Sequence, residues 1–511
     1  MDLRHKKYPD RQVVGYLLIM LYLIILAKSL FASHIGFSIL DEGEYLHIGL
    51  RILRGDIPYR DFFSYLPPLY SYWNTLALKI FGIDVYSVRL LNSIVFSFVP
   101  VLIFLIASRF SNKTIAATVA LAFAFMEVNM ERLYYHIFTF SGLLLFILAF
   151  KNHKYKQLFF SGLLFGITAL FRLDIGLLFF IGLSIGVLIH SFKIPKLIIL
   201  FSSAFAIPLL FLSAWLIKNN AVSQFLRSQL GTPAQITAKY ALPFPLIWDL
   251  IPKNLTPQTL FHSYETYVIY VILFTYLFFI IHLSKNWRKI WSQNPEVVFL
   301  FIIGILTAPY MLGRTDLGHI IKGALPAFFI GAYLINISGS LQKWLLLIPV
   351  SFVVVGLGQV FWSNKFYNTP VKTINGTINL NKQWPAGTIL IPAKTIEQAL
   401  NFINLNTSNN DQIFVSPYMA GLYFLSDRPS KSYEGNILYS YVPNEDEFVE
   451  SLESLNIKVV IYDPENGPQG PNLELKKLRN IYPKIDRYIM DNFKTMEKSP
   501  EGWLFMVQKH P

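Results

Sequence analysis

The feature that most constrains this chain is a repeated series of apolar runs, most of them near the ~20 residues that carry a helix across a hydrocarbon layer. They fall at Val13–Phe31, Val88–Phe110, Thr114–Val128, Ile137–Phe150, Gln157–Leu170 and Ile175–Phe192. Five more follow at Leu197–Ile217, Tyr264–Leu283, Val297–Leu312, Ile320–Ile337 and Leu345–Trp362. About eleven spans are therefore predicted. In lipid a backbone must satisfy its own hydrogen bonds, so the fold class is an α-helical polytopic membrane protein. Composition agrees, because only 15% of residues are charged against roughly a quarter in soluble domains. The first run lacks a small-residue cleavage site and many spans follow it, so it reads as a first transmembrane helix.

Charge fixes the predicted orientation. The N-terminus carries Arg4, Lys6, Lys7 and Arg11. Every second connection after it is again basic: Arg109 with Lys113, then Lys151, Lys154 and Lys156, then Lys193 with Lys196. Lys285, Arg288 and Lys289, and finally Lys343, continue the series. This asymmetry predicts a cytoplasmic N-terminus and, with an odd span count, an extracytoplasmic C-terminus on the cytoplasmic membrane. It also accounts for the net charge of +13 without invoking nucleic acid. Membrane lipid is the expected surrounding, with anionic headgroups as partners of the basic rim. The absence of cysteine excludes disulfides, thiolate metal sites and cysteine nucleophiles.

Three segments are expected outside. Two are loops, at 32–87 and 218–262, within a membrane domain covering 1–362. The third is the tail, 363–511, whose composition shifts toward that of a soluble domain. Its alternation predicts strands at Gly387–Ile391, Ile413–Ser416, Val459–Tyr462 and Trp503–Gln508, with helices at Thr395–Leu405 and Glu445–Leu455. That pattern fits a small α/β domain.

Ionisable groups in a membrane are costly, so their depth is informative. Lys28, Glu127, Glu131, Arg132, Arg172, Asp174, Arg314, Asp316, His319 and Lys322 all fall near outer span ends. Any one of them reads as ordinary helix-end charge. Together, on one rim only, they predict a polar cavity there. The first outer loop opens Asp41-Glu42-Gly43-Glu44-Tyr45 and continues Gly55-Asp56-Ile57-Pro58-Tyr59-Arg60-Asp61-Phe62-Phe63, ending Pro67-Pro68-Leu69-Tyr70-Ser71-Tyr72. On a helix Asp41 and Glu44 share a face while Glu42 points elsewhere. Asp41 and Glu42 would thus serve different partners, one facing substrate and the other ordering the loop or a metal. A carboxylate beside an apolar surface can take a proton from a hydroxyl. The blander alternative is a helix start, with Asp41 as cap and Glu44 at the third position.

Tyr134-Tyr135-His136 reads as an interfacial aromatic belt ahead of a sugar platform. The second loop, with Arg227, Lys239 and Trp248, is either a mobile cover over a lipid or an ordered loop on the rim. Tyr418, Tyr423 and Tyr433 read as core more than as sugar contacts.

These motifs resemble the membrane glycosyltransferases of the GT-C superfamily, in the branch related to protein O-mannosyltransferases and lipid A aminoarabinose transferases. The resemblance rests on the Asp-Glu after the first span, the Gly-x-x-Pro-Tyr-x-Asp-Phe stretch and the Pro-Pro-Leu-Tyr that follows. Phe171-Arg172-Leu173-Asp174 and Gly313-Arg314-Thr315-Asp316 with His319 add to it. It implies transfer of a sugar from a polyprenyl-phosphate donor (dolichyl- or undecaprenyl-phosphate) to an extracytoplasmic lipid, cell-envelope glycan or protein acceptor, usually with inversion. It implies Asp41 as base and Glu42 as an acceptor-orienting group. Arg172, Arg314, His319 and Lys322 become candidates for the donor phosphate, with Asp174 and Asp316 holding the arginines. Glu44, Arg60 and Asp61 join the candidate substrate-binding set. Some relatives use a divalent metal, but no ligand set of convincing spacing is present. Two other readings stand beside this one. A transporter or flippase of lipid-linked sugars should show repeats and midplane charges, which are not evident. A non-catalytic envelope-assembly subunit would leave the intact acidic pair unexplained.

Overall fold

The structure is a computed structural model, and it describes residues 11–126, 133–152, 154–190, 195–231, 242–382, 391–435, 437, 442, 444–464 and 478–509. Apolar helices stand at all the predicted places. They are α1 (Arg11–Ala32), the pair α4 (Val85–Phe96) and α5 (Phe98–Ala107) acting as one span, α6 (Lys113–Phe125) and α7 (His136–Asn152). Next come α8 (Tyr155–Phe171), α9 (Leu173–His190) and α10 (Pro195–Lys218). After the short α11 (Val222–Leu226) follow α12 (Pro257–Gln293), α13 (Pro295–Gly313), α14 (Leu317–Ile337), the short α15 (Gln342–Leu345) and α16 (Leu347–Phe366). Among the described residues seven spans are long and apolar enough to cross a membrane, and α6 to α9 are shorter apolar helices beside them. The chain is an integral membrane protein.

The first outer segment is not a loop throughout. It contains α2 (Asp41–Leu53) and α3 (Pro68–Phe81), which pack on each other. Leu40 occupies the cap position of α2 and Asp41 is its first helical residue. The expected capping by Asp41 is therefore corrected. The Asp41 amide donates to Ser38 Oγ at 3.1 Å, so Ser38 supplies the oxygen that a free helix start needs. Pro68 starts α3, where its missing N–H costs nothing.

The tail holds a hairpin, β1 (Thr369–Thr373) with β2 (Gly376–Leu380), then α17 (Ala393–Asn406), β3 (Gln412–Ser416) and α18 (Gly421–Leu425). It continues with α19 (Glu445–Ser454), β4 (Ile457–Tyr462), α20 (Leu478–Ile481), α21 (Pro483–Asn492), β5 (Phe493–Lys498) and β6 (Leu504–Gln508). The four-stranded sheet runs β3-β4-β6-β5, with β3 parallel to β4 and the other pairs antiparallel. The strand expected at Gly387–Ile391 lies, apart from Ile391, outside the described residues. The hairpin, β5 and α21 are additions to the elements expected from the sequence.

The tail is not a separate globule hung from the last span. One hydrophobic cluster unites Phe37, Ile39, Leu46 and Leu50 of the first outer segment with Ile396, Leu422, Phe424 and Phe505 of the tail. Two glycines meet in this contact. A Cβ on Gly43 would stand 2.4 Å from the Gly421 Cα, and the Gly421 amide donates to the Ile39 carbonyl at 2.9 Å. The nearest atoms to that Cβ are all backbone, which cannot swing aside. Gly43→Val is expected to cost about 1–3 kcal/mol or more through forced separation, read as a lower unfolding midpoint and faster proteolysis of the tail. Unchanged proteolysis would show that this contact does not hold the tail in place.

Candidate functional site

Glu42 and Asp41 diverge, as adjacent helical residues must. The Glu42 carboxylate is buried and meets the Arg89 guanidinium twice, at 2.5 Å to Nε and 2.7 Å to Nη2. Arg89 also donates to the Gly36 carbonyl at 2.7 Å. It thus ties the chain leaving α1 to the start of α4. Asp41 is partly exposed and shares its helix face with Tyr45, one turn on. Tyr45 accepts a hydrogen bond from the Tyr65 hydroxyl at 2.8 Å and packs edge-on to Tyr70 at 4.9 Å.

From Tyr45 an aromatic wall runs across one end of the bundle. Tyr70 lies 5.9 Å from Tyr134, Tyr134 stacks on Trp73 at 5.2 Å, and both Tyr134 and Tyr135 pack against Phe171. Tyr134, Tyr135 and His136 are fully buried. The lipid-facing belt expected there is corrected: these rings are interior and connect the first outer segment to the α8–α9 turn.

At the far end of that wall sit the two Arg-x-Asp pairs. Arg172 donates from Nε and Nη2 to Asp174 at 3.1 and 2.7 Å. Asp174 also takes the Ile175 amide at 2.8 Å and the Tyr310 hydroxyl. An acid in the first turn of α9 is favoured by the helix dipole. The second pair repeats the device. Asp316 caps α14 by accepting the His319 amide at 3.2 Å, receives His319 Nδ1 at 2.8 Å, and is paired with Arg314. Burial alone would raise the Asp316 carboxyl, but the His319 hydrogen bond and the charges of His319 and Arg314 hold it well below the usual carboxylate range. Helices α9 and α13 pack together, so the two turns are neighbours, bridged by Tyr310. His136 shares the electrostatic surroundings of Lys322, Arg172 and Asp174, and Lys322 is buried. The structure thus brings Arg172, Asp174, Arg314, Asp316, His319 and Lys322 to one rim.

The remaining candidates go elsewhere. Arg60 and Asp61 pair with each other at 2.7 and 2.8 Å on the surface, and Asp61 also accepts the Ile57 amide at 2.7 Å. The Arg60 hydrogen bond lowers the Asp61 carboxyl against a smaller opposing effect of burial. Glu44 is buried toward the tail, within electrostatic reach of Tyr423. Glu127, Glu131, Arg132 and Lys239 lie outside the described residues. Among those described, no group of three or more His, Asp or Glu could hold a metal. The acidic pair does not fit one, because Glu42 is committed to Arg89.

Sequence reasoning missed Arg51, His47 and Glu434. Arg51 is buried and bonds Asp56 at 2.6 Å, the Ser432 carbonyl at 2.7 Å and the Asp61 carbonyl at 3.0 Å. It stitches the first outer segment to the tail. His47 stacks on Tyr423 at 4.6 Å and accepts the Ser430 amide on Nε2 at 3.1 Å. Burial, then Arg51 and Arg54, push its pKa well down, so it is a neutral structural imidazole. Their only sequence signal was polar spacing on an amphipathic helix.

The second outer loop is ordered where described. Ser228 donates to the Ser64 carbonyl, Gln229 to that of Tyr65 at 3.1 Å, and Thr315 to that of Pro243 at 3.1 Å. This loop therefore touches both the first outer segment and the Arg314 turn. Its Arg227 acts electrostatically on Glu434 of the tail, whose carboxyl burial lifts to about 7 with Arg227 opposing. A carboxyl raised in the folded state contributes stability below its unfolded value near 4.5 and loses it as pH rises through about 7. The full chain should therefore show a falling unfolding midpoint from pH 5 to 8, and Glu434→Gln should flatten that slope. The same slope in both proteins would remove Glu434 as its source.

The fold and rim define the class as a polytopic helical membrane bundle whose α/β tail is clasped to its first long connecting segment. ArnT of Cupriavidus metallidurans bound to undecaprenyl phosphate is similar over 98% of this chain and 98% of its own, with TM-score 0.57 and 11% identity. The apo form of ArnT gives TM-score 0.56 and 10% identity over 97% and 98%. The Archaeoglobus fulgidus oligosaccharyltransferase tethered to an acceptor peptide gives 0.49 and 13% over 97% of this chain and 74% of that one. At such identities the likeness to ArnT establishes the fold. No protein-family model and no curated protein sequence matches the chain.

Proposed function

We propose that this protein is a membrane glycosyltransferase. It takes a sugar from a polyprenyl-phosphate donor and passes it, with inversion, to a hydroxyl of a lipid, envelope glycan or protein outside the cytoplasm. The observation that carries this reading is the separation of roles along one aromatic wall, with a partly exposed Asp41 face at one end and carboxylate-positioned arginines at the other. Likeness in fold to ArnT bound to undecaprenyl phosphate supports a lipid-phosphate donor.

In this mechanism Asp41 accepts the proton of the acceptor hydroxyl as its oxygen attacks the anomeric carbon. The bond from that carbon to the phosphate oxygen breaks, and its electron pair leaves with the polyprenyl phosphate. Arg172 and Arg314, oriented by Asp174 and Asp316, offer paired donors to the departing phosphate, with His319 and Lys322 adding positive charge. The half-buried rings of Tyr65 and Trp73, between the two ends, offer apolar faces for the sugar. Glu42 orders the loop that presents Asp41, and takes no proton.

The test is direct. Purified full-length protein is incubated with a panel of polyprenyl-phosphate sugars and membrane extract, and labelled product is identified. Labelled acceptor with release of polyprenyl phosphate supports the reading. Movement of lipid-linked sugar across vesicles with no transfer at all would replace it with a flippase.

A further inference from the structure

A cavity of about 1320 Å³ lies away from the rim just described. Its lining comes from the opposite ends of the same helices. Helix α16 contributes its first turns, at Ile348 and Phe352, and α14 its second half, from Ala327 to Ile337. The tail follows the far end of α16, so the cavity occupies the half of the bundle facing away from the tail. By charge asymmetry that half is cytoplasmic.

Three properties define what it can hold. Its deep walls are apolar, built by Val271, Phe328 and Phe352. Phe274 and Phe278 line it and are also exposed on the bundle surface, so it opens sideways into hydrocarbon. At its mouth stand Arg109 and Lys289, both exposed, and neither has a carboxylate partner among the described residues. No acid is among the described lining residues. The volume exceeds the roughly 300–1,000 Å³ of sites for drug-sized molecules.

We propose that this cavity binds an anionic glycerophospholipid of the cytoplasmic leaflet. Its phosphodiester sits between Arg109 and Lys289, and its acyl chains lie along Phe328 and Phe352. A soluble anion would gain nothing from the apolar depth. A zwitterionic headgroup would bring a further cation to a mouth that has no acid to receive it. The proposal is independent of sugar transfer.

The test uses the full chain reconstituted in vesicles of equal phosphatidylcholine and phosphatidylglycerol, extracted gently, with retained lipid counted by native mass spectrometry. The wild type is expected to retain phosphatidylglycerol selectively. Arg109→Gln with Lys289→Gln should retain about thirtyfold less, the loss expected from two cation–phosphate contacts. Gly331→Phe attacks the other end of the site. A Cβ there meets only Thr275 Cγ2, at 3.9 Å, so the ring would enter the cavity and exclude chains while leaving both cations in place. Equal retention of the two phospholipids by the wild type overturns the proposal, as does retention unchanged in both variants. Stronger retention of added undecaprenyl phosphate than of phosphatidylglycerol assigns the cavity to the carrier lipid and overturns it too. Should one variant not yield folded protein, the other decides.

Discussion

Asp41→Asn is expected to lower sugar transfer by about 10²–10⁴-fold, the usual contribution of a positioned general base, with membrane insertion and thermal stability unchanged. The residue is partly exposed at the first position of α2, and its own amide is already served by Ser38. Asparagine keeps the size but gives up the negative charge, and with it the ability to take a proton. Donor binding should survive, because the groups proposed for the phosphate stand at the α8–α9 and α13–α14 turns and on α14, away from α2. A binding assay with polyprenyl-phosphate sugar would therefore show near-normal affinity beside absent turnover. Transfer at the wild-type rate by this variant would end the assignment of Asp41 as base.

Glu42 should respond in the opposite way. Removing one member of a buried ion pair strands the other in a low-dielectric setting, at a cost of about 3–5 kcal/mol. Glu42 and Arg89 are both buried, and Arg89 also holds the Gly36 carbonyl. Glu42→Gln and Arg89→Met should each depress the unfolding midpoint and yield strongly. The double substitution should cost less than the sum, since neither charge is then left alone. Any fall in transfer by Glu42→Gln should track the folded fraction. A stable Glu42→Gln protein with normal unfolding but no transfer would return Glu42 to the chemistry.

Particular residues show how much the sequence made legible. Long apolar runs located the spans because the bilayer imposes one length and forbids unpaired backbone. The Arg172–Asp174 and Arg314–Asp316 pairings were legible because each is local, two residues apart at a helix start. Arg51 and Arg89 were not. Their partners Ser432 and Glu42 lie 381 and 47 residues away, and nothing in a local pattern announces such contacts. Tyr134 illustrates the same limit: an aromatic at a span end reads as a belt, and only packing reveals that it faces inward.

The sequence by itself determined that this chain crosses a membrane many times, which connections are basic, and that its acids gather toward one rim. Those properties follow from hydrophobic length and charge, which each segment carries alone. Tertiary structure decided which acid is buried in an ion pair with Arg89. Asp41 and Glu42 are neighbours of the same type, yet a helix turns them onto different faces, and Arg89 meets only one of them. It also decided that the tail and the first outer segment form a single core, because the Gly43–Gly421 approach exists only once both are folded.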